Sequence, residues 1–123
     1  MKKEDLIRRN KAFVLGVVNY VDALPSAYSS QVFGRQVIRC ASSVGANYRA
    51  ACRAKSEADF INKLKIVEEE VDESIYFLDL LMELYSVKNA EAQNLIKEAE
   101  ELLAIYVASI KTMRNKITQR KNK

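Results

Sequence analysis

Histidine and tryptophan are missing from this chain; proline occurs once and glycine three times in 123 residues. Without histidine, no side chain titrates near neutrality by default. That removes the usual general base, imidazole metal sites and the Glu-x-x-His ligand sets of carboxylate-bridged helix bundles. So little proline and glycine leaves few loop-forming residues, and the dominant Ala, Leu, Ile, Glu and Lys favour helix. Long uncharged apolar runs are lacking too, so no segment reads as membrane-spanning. The first ten residues, MKKEDLIRRN, carry no apolar stretch of signal type. A cytoplasmic protein with no membrane partner is the expectation. No Gly-rich phosphate loop or Ser-centred nucleophile motif occurs. No residue set brings together a nucleophile, a base and a stabilising group, so the chain does not read as an enzyme, and no cofactor or metal is expected. The run Glu68-Glu69-Glu70 with Asp72 and Glu73 spreads around its helix, since adjacent residues differ by about 100°. It reads as a solvated or interface face.

Cysteine is scarce as well. Cys40 and Cys52 lie 12 residues apart on one expected helix, which separates them by ~18 Å and forbids a bridge between them. They read as small core residues with free thiols, in keeping with a reducing compartment.

What is present is 49% apolar and 29% charged sequence, enough for one domain spanning residues 1–123. Four helices are expected, at about 4–23, 27–54, 56–86 and 89–118, followed by a basic C-terminal tail that frays. Leu6, Asn10, Phe13, Val17, Tyr20 and Leu24 recur at spacings of three and four on the first. Phe33, Val37, Ala41, Val44, Tyr48 and Ala51 do so on the second, and Phe60, Leu64, Val67, Val71, Ser74, Leu78, Leu81 and Tyr85 on the third. Ala92, Ile96, Ala99, Leu103, Tyr106, Ile110, Met113 and Ile117 mark the fourth. Ser26, Ser56 and Asn89 are the expected N-caps, and Pro25 ends the first helix. Gly34 and Gly45 in the second predict a close neighbour or, at Gly45, a local break. The apolar segment IYFLDLLMELY covers more of the third helix than one core stripe needs and predicts a further buried surface. Short connections imply an all-α, antiparallel up-down-up-down four-helix bundle.

That topology gathers charge. Lys2, Lys3, Arg8, Arg9, Lys11, Arg49, Arg53, Lys55, Lys63, Lys65, Lys111, Arg114, Lys116, Arg120, Lys121 and Lys123 collect near one end, 16 of the 20 Lys and Arg. Only Glu4, Asp5, Glu57 and Asp59 oppose them, four of 16 acids. Within a net charge of +4 such a pole carries about +12 and the remainder about −8, a field that attracts phosphate backbones without base specificity. The alternative is a solvated end whose charges complement helix dipoles. A second pattern is a ladder: Arg35, Arg39, Arg49 and Arg53 fall within about 40° of one line along the second helix, opposite its core stripe. They suit either phosphates or carboxylates across a subunit contact. The third helix offers Glu70 and Glu73 beside Ile66, Phe77 and Leu84 for such a contact. Tyr28 shares the ladder's face.

The stretch SSVGANYRAACRAKSEADFINKL, continuing through EEEVDESIYFLDLL, resembles a bacterial four-helix-bundle family founded on proteins encoded in intervening sequences of large-subunit ribosomal RNA genes. The match covers about Leu24 to Leu84, with the family motif at Arg39, Ser43, Asn47, Arg53, Ser56, Phe60, Glu70 and Glu73. Ala50 replaces a common Glu and Phe77 a common Trp, which leaves the second helix more basic. The resemblance implies a homo-oligomer, a pentameric ring. Through a related branch, the accessory protein of diversity-generating retroelements, it also implies RNA or DNA binding through a basic surface. A scaffold ring that docks a reverse transcriptase or ribosomal partner, without touching nucleic acid itself, is the alternative.

Overall fold

A computed structural model describes residues 1–122 as four helices. They are α1 (Lys3–Asp22), α2 (Tyr28–Cys52), α3 (Glu57–Leu84) and α4 (Asn89–Lys121). Each helix packs on its neighbours in sequence, and α1 also packs on α4, while the diagonal pairs stay apart. Directions alternate. Val21 of α1 meets Gly34 of α2, Arg39 of α2 meets Glu70 of α3, Glu57 of α3 meets Arg120 of α4, and Arg9 of α1 meets Glu98 of α4. The protein is an all-α, antiparallel four-helix bundle.

The expected stripes form the core. Phe13, Val17, Tyr20, Val37, Val44, Leu64, Val67, Val71, Leu78, Leu81 and Tyr106 are all but inaccessible to solvent. Burial at this level contributes about 1.5–3 kcal/mol per large apolar side chain. Phe33, Phe60, Tyr85, Ile96 and Leu103 sit at the edge of this core rather than inside it, Met113 and Ile117 are half-buried beyond it, and Leu102, next to the expected position, is buried in α4. Asn10, Ser30 and Ser74 are the buried polar residues among those described. Tyr106 Oη donates to Asn10 Oδ1 at 2.7 Å, and Ser74 Oγ to the Glu70 carbonyl at 2.8 Å.

The helix ends depart in places from expectation. Ser56 caps α3, accepting from the Asp59 N–H at 3.0 Å, while Asp59 accepts from the Lys55 N–H at 3.1 Å. Ser26 does not cap α2. Ser30, one turn inside, accepts from the Ala27 N–H at 3.0 Å and donates to the Pro25 carbonyl at 2.6 Å, because it can reach both sides of the tight turn. At the start of α4 the flanking residue is Lys88, in the left-handed region at φ 57°, and Asn89 is already helical. The fourth helix also runs to Lys121 instead of ending near residue 118. Arg120 pairs with Glu57 there, and cations favour the negative end of the dipole. Lys123 lies outside the described residues.

The two glycines of α2 have different causes. A Cβ on Gly34 would lie 2.7 Å from Val21 Cγ1, so the crossing of α1 and α2 needs a hydrogen there. No break occurs at Gly45, and a Cβ there would meet only Asn10 Cβ at 3.6 Å, an ordinary contact.

Candidate nucleic-acid interface at the basic pole

The starts of α1 and α3 and the ends of α2 and α4 converge on a cavity of about 540 Å³ lined by Lys3, Tyr48, Cys52, Lys55, Phe60 and Met113. Lys2, Lys3, Arg8, Lys11, Arg49, Arg53, Lys55, Lys111, Arg114, Arg120 and Lys121 are exposed at or near this end; Arg9 is half-buried. Two helix N-termini and two C-termini meet here, so their dipoles largely offset one another and the local field is set by side chains.

Some of those cations are answered by acids. Asp5 pairs with Arg8, Glu57 with Arg120, and Asp59 with Lys63 at 3.5 Å. Arg9 turns sideways across the seam between α1 and α4. It grips Glu98 with two hydrogen bonds of 2.9 and 2.5 Å and approaches Glu101 at 3.8 Å. That grip, opposed in part by desolvation, raises the Arg9 pKa above its ordinary value. Arg9 therefore joins two helices and is not presented outward. The Lys55 N–H and Lys63 hold the Asp59 carboxyl below its usual range. Among the described residues, Lys2, Lys3, Lys11, Arg49, Arg53, Lys55, Lys111, Arg114 and Lys121 have no acid within 4.0 Å, the reach of an ion pair.

The arginine ladder divides. Arg39 meets Glu70 at 3.2 Å and Glu73 at 3.4 Å on α3 of its own chain. Cys40, buried beneath, donates from Sγ to Glu73 at 3.4 Å, and burial pushes its thiol up to about 12. Burial also raises the Glu70 carboxyl, whereas hydrogen bonds from Cys40 and Glu70 lower that of Glu73. Asn47 donates to Ser43 Oγ at 2.8 Å one turn along the same seam. The ligand atoms of Cys40, Glu70 and Glu73 lie within 4.8 Å of one another. Arg39 bonds to both carboxylates and the thiol keeps its proton, so the group is built as an ion-pair network.

Of the other expected interface residues, Arg35 is exposed beside a shallow hollow under Pro25. Ile66 and Leu84 are exposed apolar side chains on α3, and Tyr76 adds a third. Phe77 is half-buried, packed on Phe33 with ring centroids 6.1 Å apart and on Tyr76 at 5.5 Å. Tyr28 is among the most exposed residues at 84% and stacks on nothing among the described residues.

A groove between α1 and α2 escaped the sequence reading. It encloses about 330 Å³ and is lined by Ile7, Asn10, Lys11, Val14, Gly45, Ala46 and Arg49. The signals were an asparagine within an apolar stripe and a glycine within a helix.

No helix is long and apolar enough to cross a membrane among the described residues. The alternating four-helix frame is that of a small antiparallel helical bundle. A family model for the 23S rRNA-intervening sequence protein matches residues 2–108, and the chain belongs to that family. It is also similar to a Bacteroides thetaiotaomicron protein of unknown function from the S23 ribosomal protein family, whose crystal structure has been solved. The two are 31% identical over 90% of this chain and 99% of the other, with a TM-score of 0.81. No curated protein matches the chain.

Proposed function

We propose that this protein is a non-enzymatic accessory factor that binds RNA or DNA through its basic pole and works as a homo-oligomer. The observation that carries this reading is the set of exposed cations without acid partners. Lys3, Lys11, Arg49, Arg53, Lys55, Lys111 and Arg114 come from all four termini that meet at the pole. Such a surface displaces counterions from a phosphate backbone, binds tightly at low salt and carries little base specificity. A family named for an rRNA intervening sequence is consistent with an RNA setting.

The assembly is proposed on a separate observation. Ile66, Tyr76 and Leu84 are 40%, 60% and 52% exposed along α3, next to the half-buried Phe77. A run of that kind on one helix is suited to burial against a second copy. Five copies, the number implied by the family resemblance, would multiply the positive field around a ring. The competing reading is a ring that docks a protein partner and ignores nucleic acid.

The test is a binding titration with generic RNA and DNA at about 50 mM salt, where phosphate-driven binding is strongest. It is run on a sample whose mass is known from light scattering. Binding by a species heavier than 14.0 kDa supports the reading. A heavier species that leaves both nucleic acids free while retaining a protein partner supports the docking ring instead.

A further inference from the structure

We infer that the α1–α2 groove takes an unpaired base of a single-stranded nucleic acid, so that the pole prefers single strands to duplex. This rests on the polyanion reading above and gives it a substrate class.

Three independent features meet in the groove. Its rim carries Lys11 and Arg49, both exposed and neither paired with an acid, and no acid lines it. Its walls are apolar, from Ile7, Val14 and Ala46. Finally, Gly45 weakens α2 by about 1 kcal/mol relative to alanine, yet the crossing of α1 and α2 has room for a Cβ there. Packing explains Gly34 and does not explain Gly45. What Gly45 does is keep the groove open.

A flat apolar-faced ring joined to phosphates on either side matches this combination. The ring fills the apolar slot, and the flanking phosphates meet Lys11 and Arg49. A paired base cannot enter, because its edge is occupied and its faces are stacked. Single-strand binders likewise set base-contacting surfaces along a cationic track, by aromatic stacking in the general case and by an apolar slot here.

The experiment compares the affinity of the full chain for an oligothymidylate of about 20 nucleotides and for a duplex of the same length, at one ionic strength. Wild type, Gly45→Ala and Ala46→Leu are measured together. Ala46 is exposed, so leucine there covers the groove without entering the core, and thermal melting verifies folding of both variants. Wild type is expected to bind the single strand about tenfold more tightly than the duplex, a difference of about 1.4 kcal/mol. Ala46→Leu should erase that preference and Gly45→Ala should reduce it, with duplex affinity unchanged in both. Equal affinity for the two forms, or a preference that neither variant moves, overturns the inference while leaving the polyanion reading in place. Failure of wild type to bind either form overturns both.

Discussion

Arg39 and Arg49 occupy one face of one helix and have opposite surroundings. Arg39 lies between Glu70 and Glu73 of the neighbouring helix, so its charge is answered inside the chain and holds α2 against α3. Arg49 stands at the rim of an acid-free groove beside Lys11. Both are arginines of one ladder, about 80° apart around the helix; the register of the next helix decides which arginine is structural and which is available. A ladder counted from sequence is therefore two things in the fold.

The largest expected effect breaks this contrast at its available end. Lys11→Glu with Arg49→Glu should weaken binding of duplex DNA or heparin by about a hundredfold, through two lost phosphate contacts and two introduced repulsions, and leave the melting temperature nearly unchanged. Arg39→Glu should do the reverse. It puts three carboxylates together over the largely buried side chain of Glu70, lowers the melting temperature and leaves binding close to wild type. If Arg39→Glu and the double variant lose binding equally, the division of the ladder is wrong.

The two glycines of α2 sharpen the same contrast. Gly34→Ala should destabilise by about 1–3 kcal/mol through overpacking, since the added methyl meets Val21 at 2.7 Å. Gly45→Ala should stabilise by up to about 1 kcal/mol. Chemical denaturation reads both, and shifts of the same sign would remove the argument that only Gly34 serves packing.

The thiols offer a smaller test. Cys40 is buried under the Arg39 network with its thiol pushed up to about 12, while Cys52 is half-buried at the pole. One equivalent of a thiol reagent should react in the native protein, at Cys52, and the second only on unfolding. Prompt reaction of both would show that the α2–α3 seam opens readily.

The smallest effect is in acid. Asp59 titrates below its usual range because it accepts from the Lys55 N–H. A depressed carboxylate stabilises above its unfolded pKa, and that contribution is lost as pH falls through the folded value. Asp59→Asn should therefore flatten the decline of melting temperature between about pH 5 and pH 3. Glu73 behaves in the same sense, whereas Glu70, raised by burial, works against it. The seam should accordingly contribute less acid sensitivity than the cap of α3.

Much of the fold was legible because a 3.6-residue period and three short connections leave few alternatives. All six expected core positions of α1, Leu6 to Leu24, are buried. The ends were less legible. Ser26 and Ser30 are both plausible caps until the path of the turn at Pro25 is known. Partners of long side chains were not legible at all. Arg9 belongs to the basic end by position, yet its side chain spans sideways to Glu98, 89 residues away. In the sequence Arg39 suits phosphates or a subunit contact, and its pairing within its own chain is not visible, because only the register of α3 brings Glu70 and Glu73 beneath it. The groove was hidden for a related reason. A glycine in a helix signals a close neighbour or an open space, and only three dimensions separate the two.

The central claim is that unanswered cations at the pole bind phosphate. It is tested most directly by the dependence of nucleic-acid affinity on salt, compared between wild type and Lys11→Glu with Arg49→Glu. The account predicts a steep linear fall of log K with log salt for wild type. It predicts a slope shallower by about two phosphate contacts, roughly 1.4 units on single strands, for the variant. An affinity indifferent to salt, or a slope the variant leaves unchanged, would contradict it.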